Sequence, residues 1–369
     1  MSILSFIEKF TRKQFSDTEK TNILGTVLDS HLAYAADEKL RERSASGGVV
    51  TGLLLHLLES GKIDGALVTE GYVEEQQFKT RFIIAKNQDE LLRSQGSKYA
   101  TVHFNRDAMP LLREFKGKLA VVALPCDTTN FRRMCEKDPE LNEKVAAIIT
   151  LFCGHLSQPE LTQHIIEQHT RDHESPLVAF QHRTGHWRGE MSLKYADGSE
   201  EHPSFSRFST YQNLYFFSEE KCLHCHDHFG YDGDISAGDL WHSSMKDNSI
   251  KMTALLSRTQ LGNTILREAI ESGVLKAREV TTDLLLEGHA RSVRGHYNIS
   301  ARAKAGKILG FKFRDNIQAK VNLWDWLTAF IILVNYHLST KKWGRKLILK
   351  MPKPVWIFYL YLFKGIESL

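Results

Sequence analysis

Lys118-Leu-Ala-Val-Val-Ala-Leu124, which runs into Pro125-Cys126, and Val145-Ala-Ala-Ile-Ile-Thr-Leu-Phe152, which runs into Cys153-Gly154, are the two stretches that decide the fold. Each is a short, continuous apolar run closed by a turn-forming pair, and that pattern reads as a strand buried on both faces. Working outward, Val49 to Ser60 carries Val50, Leu53, Leu54, Leu57 and Leu58 at helical spacing, with Gly61 as its stop. Ser44-Ala-Ser-Gly-Gly48 opens that helix. Gly65-Ala-Leu-Val-Thr69 and Thr80-Arg-Phe-Ile-Ile-Ala85 are further β-prone runs, and Gln88 to Arg93 is a short helix before Gly96-Ser-Lys-Tyr99. Strands alternating with helices imply an α/β sheet, whose sites lie beyond strand carboxyl ends. Cys126 and Cys153 therefore stand where a functional loop is expected.

The flanks differ. Residues 1 to about 43 read as helical and polar, ending in the charged run Asp37 to Arg43. From about residue 175 short strands appear, such as Glu190-Met-Ser-Leu-Lys-Tyr195 before the turn Ala196-Asp-Gly198. After residue 310, the aromatic stretches Leu323 to Val334 and Val355 to Phe363 flank the basic segment Lys341 to Lys350. Neither reads as a membrane span. Asp325 and Asn335 interrupt the first, and the second falls short of the roughly 20 apolar residues a span needs. The fold class expected is α/β (mixed α+β), divided into a helical segment 1–43, an α/β domain 44–174, an α+β portion 175–310 and a basic aromatic helical tail 311–369.

With 369 residues, 42% apolar and 25% charged, the chain has the composition of an ordinary soluble protein with room for two domains. Met1 to Lys13 lacks the features of a secretory signal, so a cytoplasmic protein is expected. The net charge of +4 hides a polarity: from residue 301 onward thirteen Lys or Arg face three acids, and the rest of the chain is acidic. Such asymmetry suggests an attachment surface for something anionic, here peripheral membrane contact through 311–369 at the inner face of a membrane, against the plainer reading of a solvated basic face. Nothing in the sequence calls for nucleic acid.

The five cysteines, Cys126, Cys135, Cys153, Cys222 and Cys225, are an odd number that suits metal or redox chemistry better than disulfides in a reducing compartment. Cys222-Leu-His-Cys-His226 admits three chemistries. Its two thiolates could join Cys126 and Cys153 on an iron–sulfur cluster. They could bind zinc with His224, His226 or His228. Cys-x-x-Cys-His is also the attachment signature of c-type haem, which normally requires export. Spacing leaves these open beside a fourth reading, cysteines that are merely buried.

Order along the chain goes further. Ser46-Gly-Gly-Val-Val-Thr51, Glu59-Ser-Gly-Lys-Ile-Asp-Gly-Ala66, Gly96-Ser-Lys-Tyr99, Leu124-Pro-Cys126, Leu151-Phe-Cys-Gly154, Arg183-Thr-Gly-His-Trp187, Cys222-x-x-Cys225-x-Asp227, Asp234-Ile-Ser-Ala-Gly-Asp-Leu-Trp241 and Leu256-Ser-Arg-Thr-Gln-Leu-Gly262 follow one another as in one family. Over residues 44 to about 290 the sequence resembles the coenzyme F420 hydrogenase/dehydrogenase beta-subunit family of iron–sulfur flavoproteins. The resemblance implies an FAD-dependent oxidoreductase with one 4Fe–4S cluster on Cys126, Cys153, Cys222 and Cys225. Residues 1–125 contain no cysteine for a second cluster, and Cys135 matches no motif.

The resemblance also places Ser46, Gly47, Gly48, Thr51, Gly96, Ser97, Lys98 and Tyr99 at the flavin. Lys98 and His155 are candidates for handling charge or protons, and no catalytic acid is assigned. Implied partners are a ferredoxin-like electron donor, a small-molecule substrate that in some relatives belongs to surface-polysaccharide synthesis, coenzyme F420 as a further substrate, and other subunits of an oligomer. A non-catalytic electron-transfer or scaffold subunit and a zinc-stabilised protein are the competing classes. The tail after residue 310 lies outside the resemblance.

Overall fold

The computed structural model describes residues 15–186 and 189–368. The helical reading of residues 1–14, and Trp187 of the Arg183 motif, lie outside the described residues. The chain is a mixed α/β structure built on an eight-stranded sheet. Its strands are β1 (Asp29–Ala35), β2 (Gly65–Glu74), β3 (Gln77–Ala85), β4 (Leu119–Ala123), β5 (Val145–Leu151), β9 (Ile235–Asp239), β10 (Thr253–Ser257) and β11 (Leu275–Glu279). They lie in the order β11-β1-β10-β9-β5-β4-β2-β3. The central four, β9, β5, β4 and β2, are mutually parallel, and the outer pairings are antiparallel.

The two deciding runs are the middle strands β4 and β5. Ala120, Ala147 and Ile149 face one apolar layer with the helices Val49–Glu59 and Gln260–Glu271, while Val121 and Ile148 face another with the helix Pro125–Cys135. Alternate residues thus enter different cores, which is why the runs show no polar alternation.

Two sequence expectations change here. Residues 29–35, read as helical, form β1, and the sheet takes β9, β10 and β11 from beyond residue 175, so it crosses both boundaries drawn from composition. The physical reason is pairing: β9 lies beside β5, and β10 and β1 extend the same ladder.

A second core surrounds the three-stranded sheet β6 (Leu177–Thr184), β7 (Glu190–Tyr195) and β8 (Glu200–Glu201). The helices Leu323–Thr340, Lys342–Lys350 and Lys353–Glu367 belong to it. They bury Ile332, Leu333, Ile348, Trp356, Leu360 and Phe363 with Phe216 and Phe217. Asn335 Nδ2 donates to the Leu214 carbonyl at 2.9 Å, and the Phe217 N–H donates to Ser339 Oγ at 3.0 Å. The tail is helical, as its sequence suggests, and packs against segment 214–217 and neighbouring helices in the apolar core that also receives the small sheet.

Candidate functional site

Strand direction assembles the site. β2, β4, β5 and β9 run in parallel, and β1 points the same way as β9 because each is antiparallel to β10. Their carboxyl ends share one edge of the sheet, the usual place for a site in such folds. Cys126 follows β4, Cys153 follows β5, Asp239 ends β9, and the loop 44–48 lies just beyond β1. Cys126 is not in a loop, as its sequence context suggests. It lies in the first turn of the helix Pro125–Cys135, with Pro125 at the position where a missing N–H costs nothing.

The segment 222–225 brings the other two thiols to the same edge. Cys153 lies close enough to Cys126, Cys222 and Cys225 to feel the charge of all three. Burial pushes Cys126, Cys222 and Cys225 up to about 12 and Cys153 well above the ordinary thiol range. Four such thiols stay protonated unless a cation replaces their protons. A tetrahedral zinc holds its sulfurs about 3.8 Å apart, given Zn–S bonds of about 2.3 Å. Among the described residues, no three of the four sulfurs lie within 4.8 Å of one another. Cys135 is elsewhere, buried in the core beneath Phe104 and Phe131.

Backbone groups and one arginine hold the thiols in place. The Leu156 N–H donates to Cys222 Sγ at 3.3 Å, and the Cys153 N–H donates to the His228 carbonyl at 3.0 Å. Asp227 accepts from the backbone of Phe229, Gly230 and Tyr231 and fixes the turn after Cys225. Buried Arg302, from the helix Ile299–Gly306, donates to the carbonyls of Leu223 (2.8 Å), Cys225 (2.6 Å), His296 (2.9 Å) and Gly295. Arg302→Leu removes a cation beside the thiols and strips four carbonyls of their donor. With each buried unsatisfied group costing about 1–3 kcal/mol, chemical denaturation is expected to show a loss of at least about 2 kcal/mol. Any metal centre that the four thiols hold should be lost to a chelator roughly tenfold faster or more. Unchanged loss would confine Arg302 to folding.

Beside the thiols lies a cavity of about 870 Å³, within the range of cofactor pockets. Ser46, Gly48, Thr51, Gly96, Ser97, Lys98 and Tyr99 all line it, as do Cys153, Gly154 and His155. Gly47 does not: its N–H donates to Thr253 Oγ1 at 3.0 Å, and a Cβ there would sit 2.7 Å from the Ala33 carbonyl oxygen. Gly48 starts the helix Val49–Glu59 with φ +76°, a left-handed conformation that favours glycine. No side chain caps this helix, and Val49, Val50 and Thr51 line the cavity, so its first N–H groups are available to an anion.

Lys98 is half-buried, with Nζ donating to the carbonyls of Ser94 and Gln95. Burial brings its ammonium down to about 7 against the opposing pull of Glu70. Tyr99 packs against Phe205 and Phe208. His155 stacks on Tyr215 at 4.5 Å, and burial brings it down to about 4, so it is a neutral ring at ordinary pH.

Sequence reading missed three contributors. Buried Arg183 on β6 ion-pairs with Asp239 and donates to the Ala45 carbonyl, clamping the loop 44–48 onto the end of β9. Burial alone would raise the Asp239 carboxyl, but Arg183 holds it below its usual range. His289 joins the cavity wall, its Nε2 2.7 Å from the Asp239 carbonyl and its Nδ1 3.1 Å from His228 Nε2. Arg302 is the third. Arg183 and Asp239 lie inside quoted motifs, whereas nothing local marks Arg302 or His289.

The strand-edge cavity with its thiols puts the chain in the class of mixed α/β proteins whose site is built at strand ends. Within that class it belongs to the coenzyme F420 hydrogenase/dehydrogenase beta-subunit family. The family's N-terminal description matches residues 30–106 and its C-terminal description residues 116–283. The coenzyme F420 hydrogenase subunit beta of Methanothermobacter thermautotrophicus is 24% identical over 299 residues, covering 77% of this chain and 98% of that protein. The coenzyme F420-dependent sulfite reductase of Methanocaldococcus jannaschii is 29% identical over 208 residues, 52% of this chain and 30% of that protein. A chain of the F420-reducing NiFe hydrogenase complex from Methanosarcina barkeri superposes with a TM-score of 0.61 at 18% identity. It covers 80% of this chain and 98% of its own, and supports the fold.

Proposed function

We propose that this chain is an oxidoreductase subunit that carries one 4Fe–4S cluster on Cys126, Cys153, Cys222 and Cys225 and an FAD in the adjoining cavity. It would pass electrons between a ferredoxin-like or deazaflavin partner and a small-molecule substrate. The observation that carries this reading is the double position of Cys153, which belongs to the group of four thiols and also forms part of the cavity wall. Bound together, a cluster would supply single electrons and a flavin would collect two of them for transfer as hydride.

The chain's own residues have separable tasks. The open N-terminus of the helix Val49–Glu59 offers N–H donors to the diphosphate, and the Arg183–Asp239 pair keeps the preceding loop in place. Gly96 and Gly154 leave space where a side chain would intrude. Lys98 supplies a positive charge whose presence depends on pH. It is protonated below about 7 and neutral above, so affinity for an anionic ligand is expected to fall as pH rises through about 7. Lys98→Met should bind more weakly at low pH and lose that dependence, checked by flavin fluorescence titration between about pH 6 and pH 8. A variant that keeps the wild-type pH profile would place Lys98 away from the bound anion.

The test of the function is an anaerobic one. Protein loaded with iron, sulfide and FAD is mixed with reduced ferredoxin or reduced deazaflavin, and the flavin absorbance near 450 nm is followed (roughly the usual oxidised-flavin band). Bleaching that requires the cluster supports the reading. A fully loaded protein that neither donor reduces contradicts it.

A further inference from the structure

The C-terminal helices leave an outer surface that a water-facing helix does not normally have. In Lys353–Glu367 the buried side carries Trp356, Leu360 and Phe363, yet the opposite side is apolar too. Val355, Phe358 and Leu362, at spacings of three and four residues, are 43%, 66% and 53% exposed. A helix apolar all round is normally covered on every side. In Lys342–Lys350 two stripes run side by side: Trp343 and Leu347, 65% and 43% exposed, next to the exposed lysines 342, 346 and 350. From residue 341 onward the chain has seven basic residues and one acid, Glu367. That acid is buried and paired with Arg291, and Arg345 is paired with Glu160, whereas the exposed lysines 342, 346 and 350 take part in none of the ion pairs among the described residues.

We propose that these two helices form a docking surface for an anionic lipid bilayer, with Trp343, Leu347, Phe358 and Leu362 entering the interface and Lys342, Lys346 and Lys350 meeting the headgroups. Aromatic and aliphatic side chains beside a row of lysines match an interfacial helix. Among the described residues no helix is long and apolar enough to cross a membrane, so the helices lie along the surface. A second copy of the chain is a poor occupant, because its lysine rows would meet like charge. The surface also lies beyond residue 283, where the family descriptions end. Ile357 and Tyr361 of the same helix line the large cavity, so docking brings the edge of that cavity to the interface.

The test uses the full chain, since truncation would pull Trp356, Leu360 and Phe363 out of a core. Flotation with phosphatidylcholine vesicles, with and without phosphatidylglycerol, is expected to show binding at least about tenfold tighter when the anionic lipid is present. The triple change of Lys342, Lys346 and Lys350 to Gln, and the pair Phe358→Glu and Leu362→Glu, should each weaken binding by at least about tenfold. Trp343→Ser, a single exposed site, should weaken it several-fold and serves if the double variant misfolds. Absence of vesicle binding, equal binding to both compositions, or self-association that Phe358→Glu abolishes without any vesicle binding would overturn the proposal. Flotation needs neither flavin nor cluster, so this result is independent of the redox reading.

Discussion

Cys153→Ala should lose nearly all bound iron and sulfide, while Cys135→Ala should keep both. The contrast rests on position. Cys153 is half-buried where the charges of Cys126, Cys222 and Cys225 reach it, and its N–H is tied to the His228 carbonyl. Removing it deletes a ligand from the group and opens a gap at the cavity wall. Changes at residues that merely support a ligand cost about 10–100-fold in affinity, so loss of a ligand should cost more than about 100-fold. Cys126→Ala, Cys222→Ala and Cys225→Ala should behave alike, because each thiol comes from the same convergence of strand ends with the 222–225 turn. Cys135 packs with Leu112, Phe131 and Leu141 on the far side of its helix, so the alanine variant loses only a small core contact. Iron and acid-labile sulfide assays on anaerobically prepared protein, with electron paramagnetic resonance after reduction, decide the matter. A full cluster in Cys153→Ala would remove the assignment.

Gly154→Val is expected to weaken flavin binding by at least about tenfold while leaving iron in place. Gly154 lines the cavity, its backbone is outside the left-handed region, and an added Cβ would meet nothing within 4 Å. A valine there would project into empty space and take volume from a ligand without straining the main chain. Gly48 and Gly96, at φ +76° and +86°, are poorer choices, because any side chain would also pay about 1–2 kcal/mol of backbone strain. Flavin affinity by fluorescence quenching, with iron measured on the same sample, separates occlusion from damage at neighbouring Cys153. Unchanged affinity would put the flavin elsewhere.

How much of this was legible in the sequence follows from physical signal. β4 and β5 were legible because both faces are buried and the runs are wholly apolar. β1 was not. Asp29-Ser-His31 begins it with polar residues, and Ser30 and His31 are buried only because Val280 accepts the Ser30 hydroxyl and β11 pairs alongside. β9, Ile235-Ser-Ala-Gly-Asp239, carries few apolar side chains because its space is limited: a Cβ on Gly238 would overlap the Phe152 ring. Family order brought the four cysteines into view, and parallel strand ends explain why they meet. Arg302 stayed invisible since its carbonyl partners in the 222–225 turn lie far away in sequence. The tail's helices were legible from their aromatic runs. Their packing against segment 214–217 was not, because periodicity identifies an apolar face without naming its partner.

The most direct test of the account is the cofactor content of the full chain purified without oxygen: iron, sulfide, zinc and flavin measured on one sample, with its absorption spectrum. The account predicts iron and sulfide in equal amounts, flavin bound alongside them, and the broad absorbance of a cluster beneath the flavin bands. Stoichiometric zinc without iron, or a cluster-loaded protein that binds no flavin, would contradict it.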